Sequence, residues 1–462
     1  MVGTVAPGRT RPLGGDVLAL LLDTRYRADP YPLYQRLRQE DPVHRTPFGL
    51  WLITRYDDAA AALRDPRLSS DLGGAAGSPA SVMVEGSPAR RLAAMAHVVA
   101  ELFGYAGAGL IESAPSLLRA GAAAVRAAKQ PGPFGQLAAK ALLLRDPPDH
   151  TRLRRLVSRA FTPRVVESLA PRVEELAERL LDQAGVEGAF DLMARFAYPL
   201  PLTVICELLG IDPGDQRLLI AWSQALALGL DPVRILTDPR AAGRADQAAV
   251  ELGDHLRRLV QARRLDPAND LVSRLALAGE EDDALSDDEI VVMCALLLIA
   301  GHETTVNLIG NGLVGLLQHP EALERWRDDP ALGETGVEEL LRFDGPVQTA
   351  TRRALASVDI GGCTIPPDDL VMVVIGAANR DPAHFRDPDR LILDRTPNQH
   401  VAFGSGIHYC LGAALARLEV RIAMPILLRH HPRIASPTLS WRPSLAIRGL
   451  QELRVTLAAS TG

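Results

Sequence analysis

Apolar and polar positions recur along this chain with two different periods, and the changes of period mark its elements. Residues 1–16 are rich in Gly and Pro, and 1–27 reads as a loose N-terminal segment. Tyr31 to Glu40 has the spacing of a short helix. His44 to Thr46, a turn at Pro47-Phe48-Gly49 and Leu50 to Thr54 form a hairpin pattern. Asp57 to Asp65 returns to helix.

Residues 72–143 are rich in Ala, Gly and Leu and poor in acids. Within them Ser87-Pro88 is a helix start, followed at helical spacing by Leu92, Met95, Ala96, Val99 and Phe103. Ser116 to Lys129 reads as a second helix, ended by Pro131-Gly132-Pro133.

From 148 to 345 the period is almost wholly helical. The sharpest signal is Ser286-Asp287-Asp288-Glu289, a capping box that opens a helix running to about Gln318, with His319-Pro320 as its end. Helices follow near 321–328 and 334–343. Short β-like pieces occupy 350–376, an irregular stretch covers 379–406, a last helix spans about 411–429, and the tail 445–458 is β-like. No repeat or linker divides the chain, so 28–462 is expected to be one domain with an unusual insertion at about 72–143.

Composition narrows the function. The chain has 462 residues, 47% of them hydrophobic and 23% charged, which excludes a disordered chain and a disulfide-stapled mini-protein. A net charge of −6 argues against nucleic acid as a partner. The four cysteines, Cys206, Cys294, Cys363 and Cys410, form no CxxC pair, in keeping with a reduced compartment. The run Val17 to Leu22 is too short for a signal or a span, and Val291 to Ala300 is about half of one. A cytoplasmic protein without a transmembrane anchor, and a monomer, is expected.

Candidate chemistry sits in two places. In Phe403-Gly404-Ser405-Gly406-Ile407-His408-Tyr409-Cys410-Leu411-Gly412 a Gly-rich loop leads to a helix expected to begin near Cys410. A thiol at a helix N-terminus is expected to ionise more easily. Gly406 and Gly412 let backbone close around the sulfur or a flat cofactor, and Phe403 can cover one side. A stabilised thiolate in an apolar loop suits a soft metal, haem iron included. On the long helix, Ala300-Gly301-His302-Glu303-Thr304-Thr305 sets an acid and an alcohol beside a glycine gap, a combination able to relay protons. His302-Glu303 does not complete H-E-x-x-H, because Val306 stands where the second His would be; His302 is read as packed or exposed. Gly310-Asn311-Gly312-Leu313-Val314-Gly315 spells G-x-G-x-x-G but lies inside the same helix, so it is no dinucleotide fingerprint.

These motifs resemble those of the cytochromes P-450, the haem-thiolate monooxygenases, in their soluble bacterial branch. Phe403, Gly406, Cys410 and Gly412 fill F-x-x-G-x-x-x-C-x-G, and Ala300 to Thr305 fills A-G-x-[DE]-T-T. The resemblance implies Cys410 as the proximal iron ligand, Glu303 and Thr304 as the proton-relay pair, and Phe403, Gly406, Gly412, Ala300 and Gly301 against the haem. Glu339 and Arg342 fit E-x-x-R, whose third member is Arg390 or Arg395. His150 and Arg154 fit H-x-x-x-R and, with Arg352 and His408, are the implied contacts to the haem propionates; Arg353 is read as a surface charge.

The same resemblance implies a mainly α cytochrome P-450 fold, a helical domain with a small β-rich lobe. Its cofactor would be haem b. The reaction would insert one oxygen atom from O2 into a small, mainly apolar substrate, by hydroxylation or epoxidation, in secondary metabolism. Electrons would come from a separate ferredoxin or flavodoxin and its reductase, docking around Cys410 and the helix with Arg152, Arg155 and Arg159. An H2O2-using peroxygenase, a non-catalytic haem-binding protein and an NAD-dependent dehydrogenase are the competing readings. The 72–143 insertion replaces the family's short substrate loop; a lid or docking element over the pocket, a membrane-surface helix and a plain surface insertion are its three readings.

Overall fold

A computed structural model describes residues 28–46, 49–72, 132–185, 188–212, 214, 216–229, 240–277, 284–436, 438–442 and 444–458, with Leu13 and Tyr26. The helices expected after Ser87 and over Ser116 to Lys129, and nearly all of the N-terminal segment, lie outside the described residues.

The elements run α1 (Tyr31–Glu40), β1 (Val43–Arg45), β2 (Leu50–Ile53), α2 (Tyr56–Ala62), β3 (Leu68–Ser69), α3 (Pro133–Lys140), α4 (Asp149–Ala160), α5 (Pro163–Glu167), α6 (Ala170–Gly185) and β4 (Ala189–Asp191). A π-turn over Met193–Ala197 leads to α7 (Pro199–Leu209), α8 (Gln216–Gly229), α9 (Ala241–Leu265) and α10 (Leu271–Ala276). Then come α11 (Asp287–Gln318), α12 (Pro320–Asp328), α13 (Gly333–Asp344), β5 (Thr349–Ala354), β6 (Val358–Ile360), β7 (Cys363–Ile365), β8 (Leu370–Val374) and α14 (Ile375–Ala378). The chain closes with α15 (Ala413–Arg429), β9 (Arg433–Ile434), β10 (Ser440–Trp441), β11 (Leu450–Glu452) and β12 (Arg454–Thr456).

The expected hairpin forms, with Val43 opposite Ile53 and Arg45 opposite Trp51. It joins a five-stranded sheet of order β1-β2-β8-β5-β3, in which β2 runs parallel to β8. The period of two decides what each face buries. Leu50 and Leu52, with Leu370, Met372 and Val374, pack beneath Leu33, Tyr34 and Leu37 of α1. Trp51 and Ile53, with Val371 and Val373, pack on the other face against Ala59, Ala60 and Leu63.

The helical lobe is built around α11. Its start is the predicted capping box: Ser286 Oγ accepts from the Glu289 N–H (3.2 Å), and Glu289 Oε2 accepts from the Ser286 N–H (2.9 Å). Length and composition would let this helix cross a membrane, but it is the buried core helix of this fold, flanked by α7, α9, α13 and α15. Gly310, Gly312 and Gly315 lie within it; a side chain at Gly310 would strike Met193, and one at Gly312 would strike Leu340. The G-x-G-x-x-G string is thus a packing seam. At the C-terminal end of the insertion, α3 packs on α9, where the Phe134 N–H donates to Asp246 (3.0 Å).

Candidate active site

Cys410 stands in a tight loop between a 3-10 turn at Gly406–His408 and α15. Its N–H donates to the Phe403 carbonyl (2.9 Å). Gly404 and Gly406 take φ of +72° and +70°, and a Cβ at Gly406 would lie 3.1 Å from the Leu63 carbonyl oxygen. Both conditions call for glycine there. A Cβ at Gly412 would meet no atom of the other described residues within 4 Å, so that position opens on space. Phe403 lies under the Arg417 guanidinium (4.5 Å to the ring centre), and Arg417 pairs with Glu338 (2.6 Å).

One expectation about Cys410 needs correction. The helix opens at Ala413, so Cys410 precedes it and does not sit on its first turn. Burial pushes the thiol up, and the Gly412 N–H, Arg154 and Arg417 oppose this without overcoming it. A coordinated metal ion would ionise this thiol outright.

Beside the loop lie His150, Arg154, Arg352 and His408. The His150 and His408 rings lie 4.4 Å apart between centres, tilted by 57°. Both nitrogens of His150 and Nε2 of His408 are buried with no hydrogen-bond partner among the described residues. Burial, and after it repulsion from His150 and Arg352, drives His408 down to about 4. Burial, then Arg154, lowers His150, and burial lowers Arg352. Arg154 donates to the Tyr409 carbonyl (2.7 Å). Among the described residues Asp146 is the carboxylate opposing these shifts, and it also accepts from Ser69 and Ser70. Buried imidazole nitrogens without partners, set beside two guanidinium groups, form a site short of negative charge. The cluster fits an anionic group, as the carboxylates of haem are.

On α11 the pattern of exposure singles out one stripe. Leu296 and Thr304 are half-buried and Ala300 is exposed, at i, i+8 and i+4 in the mostly buried middle of the helix, with Gly301 half-buried beside them, so this stripe faces an opening. Thr304 Oγ donates to the Ala300 carbonyl (3.0 Å), and Thr305 Oγ to that of Gly301 (3.3 Å). Glu303 points elsewhere. Its Oε2 accepts from Arg442 Nη1 at 2.6 Å, and Arg442 also donates to the Tyr198 hydroxyl. No hydrogen bond joins the Glu303 and Thr304 side chains among the described residues, so the implied pair is adjacent in sequence and divided in space. Gly301 is filled from the side: a Cβ there would lie 3.2 Å from Ile205 of α7. His302 is fully buried. Arg442 and Tyr198 escaped the sequence reading because neither lies in a motif, and their partner is more than one hundred residues away in the chain.

The Glu339 cluster is resolved. Glu339 Oε2 accepts from Arg342 Nε (2.7 Å) and from Arg395 Nε (3.0 Å). Arg390 contributes its backbone carbonyl, which accepts from Arg342 (3.1 Å), while its side chain is exposed. Arg395 is thus the third member and Arg390 is not. Of the three arginines expected on a docking face, Arg152 is taken up by an ion pair with Glu289 at the start of α11.

Comparison with known proteins agrees with this geometry. The family described as "Cytochrome P450" matches residues 116–330 and 332–436. Cytochrome P-450 107B1 of Saccharopolyspora erythraea is 41% identical over 451 residues, covering 96% of this chain and 98% of that protein. The cytochrome P-450 monooxygenase PikC of Streptomyces venezuelae is 40% identical over 442 residues, covering 93% of this chain and 91% of that one. Among solved structures, P-450BioI in complex with hexadec-9Z-enoic acid ligated acyl carrier protein is 33% identical with a TM-score of 0.78, covering 94% of this chain and 100% of that chain. A thiol loop, an anion-deficient cluster and an open stripe on a buried helix, with these relatives, place the chain in the cytochrome P-450 family, as a monooxygenase of the haem-thiolate class.

Proposed function

We propose that the chain binds haem b through the Cys410 thiolate, with its carboxylates on His150, Arg154, Arg352 and His408. On this reading it inserts one oxygen atom from O2 into a small, mainly apolar organic substrate, as a hydroxylation or an epoxidation. The observation that carries the reading is the pair of buried imidazoles beside Cys410, His150 and His408, three of whose nitrogens have no hydrogen-bond partner among the described residues and which lie next to the Arg154 and Arg352 guanidiniums. When bound, haem supplies the oxygen binding and transfer chemistry.

The residues of the chain do the rest. Leu296 and Ala300 offer an apolar wall to substrate, which supports an apolar class. Thr304 presents its hydroxyl on the same stripe and can hand on a proton there. Glu303 holds proton-accepting oxygens behind it, and with no hydrogen bond between the two side chains among the described residues, a bridging water would link them. Electrons come from a separate ferredoxin or flavodoxin with its reductase. Arg155 and Arg159, both exposed on α4, support a docking face on the Cys410 side.

The first test is the absorption spectrum of dithionite-reduced protein under CO. A strongly red-shifted Soret band is expected, and Cys410→His should lose it while retaining haem. A band typical of His ligation in the unaltered protein overturns the assignment. Turnover should need the electron-transfer proteins; equal turnover with H2O2 alone would overturn the use of O2.

A further inference from the structure

His302 stands next to Glu303 in the chain and beside it in space. The His302 side chain is 0% exposed and that of Glu303 1% exposed. His302 Nδ1 lies 2.6 Å from the Leu298 carbonyl oxygen. A carbonyl only accepts, so Nδ1 carries a hydrogen. The other nitrogen, Nε2, lies 3.6 Å from Glu303 Oε1. Neither atom has any other partner among the described residues.

This contact admits few protonation states. A neutral imidazole beside an ionised carboxylate would turn two lone pairs toward each other in a buried space. No water can separate them, since two hydrogen bonds of about 2.8 Å through one water span more than the observed gap. A second proton on Nε2 removes the conflict and makes the contact an ion pair. The surroundings permit this. Glu303 also accepts from Arg442, and Arg442 donates to Tyr198, a phenol kept neutral because burial, then Glu303, raises it to about 12. On the other elements packed against α11, the Cys206 thiol is kept neutral by burial, which pushes it up to about 12, and Glu419 of α15 lies against Thr305.

We propose that His302 is a positioning residue for the oxidation: as an imidazolium it pairs with Glu303 Oε1 and holds the proton that Glu303 passes toward Thr304. In that step the N–H bond at Nε2 breaks, an O–H bond forms at Glu303 Oε1, and His302 is left neutral until it is protonated again from water. The inference rests on the role proposed for Glu303, but its first readout does not.

That readout is nitrogen NMR of histidine-labelled holoenzyme in the reduced, CO-bound, diamagnetic state. The His302 signals are those lost in His302→Gln or, should that variant not fold, those that move in Glu303→Gln. Both His302 ring nitrogens are expected to be protonated at neutral pH, and only Nδ1 in Glu303→Gln. An unprotonated Nε2 in the unaltered protein overturns the proposal and leaves the haem assignment standing. In turnover, His302→Gln should divert electrons from product to H2O2 and flatten the decline of rate with rising pH. The loss should stay below the roughly 100-fold of a group that transfers the proton directly. Unchanged coupling and an unchanged pH profile would also overturn it.

Discussion

Glu303 and Glu419 are both buried carboxyl groups close to α11, and their surroundings treat them in opposite ways. Burial acts to raise Glu303, yet His302 and Arg442 overcome it and hold the group ionised. Removing the cation should be costly, because the charge stays behind. Arg442→Met should lower the unfolding free energy by roughly 3 kcal/mol, measured in urea, and Arg442→Lys should lower it less. Glu419 has no comparable cation among the described residues. Neither of its oxygens accepts a hydrogen bond among the described residues, and burial pushes it up to about 8, with the nearby Thr305 offsetting this only in part. Proton counts set the sign. Between the ordinary 4.5 and about 8 the folded chain keeps a proton that the unfolded chain has lost, so stability falls as pH rises and levels off above that window. Glu419→Gln should remove this slope and gain up to about 5 kcal/mol relative to the unaltered chain at the alkaline end. Urea unfolding across pH measures it, and parallel curves for the two proteins would show that Glu419 ionises normally in the fold.

Elements whose signals are local were legible. α1 spans the expected Tyr31–Glu40, and α11 begins where its capping box says it should, because Ser286 and Glu289 satisfy each other's backbone without outside help. Ser286→Ala should therefore cost about 1 kcal/mol in thermal or urea unfolding. Elements set by distant contacts were misread. The β-like pattern through 375 turns into α14 because the Gly376 N–H donates to the Gln348 carbonyl (3.2 Å), and the Gln348 side chain fills the space at Gly376. α15 starts three residues after Cys410 because the chain must first leave the loop that binds Cys410 back to Phe403. That loop meets the C-terminal end of α2 at Gly406, where φ is positive and a Cβ would lie 3.1 Å from the Leu63 carbonyl oxygen, so a side chain there is strained. Gly406→Ala should cost about 1–3 kcal/mol and displace the sulfur, so haem content per protein should fall with stability. A fully loaded, fully stable Gly406→Ala protein would show that the loop can yield there.

At the scale of the whole molecule, segments far apart in sequence are tied by buried charge, and here the sequence carried half of the answer. Glu339 and Arg342 were recognisable because their spacing puts both on one helical face. Choosing between Arg390 and Arg395 was beyond a sequence reading, since the irregular stretch has no period to aim either side chain. The structure aims Arg395 inward: it donates to both Glu339 oxygens (3.2 and 3.0 Å) and to the carbonyls of Asp387 and Arg390. Glu339 also accepts from the Ile392 N–H (2.8 Å) and the Asn398 amide (3.3 Å), so one buried carboxylate fastens the whole stretch to α13. That stretch leads directly into the Cys410 loop, so its anchorage fixes where the sulfur stands. Arg395→Ala leaves Glu339 short of a cation and should cost roughly 3–5 kcal/mol, with loss of the red-shifted CO band as the loop slackens. Arg390→Ala keeps the carbonyl that Arg342 uses and removes only an exposed side chain, so its cost should stay within about 0.5 kcal/mol and its spectrum should not change. Equal losses in the two variants would mean that the cluster is shared between them, against the geometry that separates a side-chain donor from a backbone acceptor.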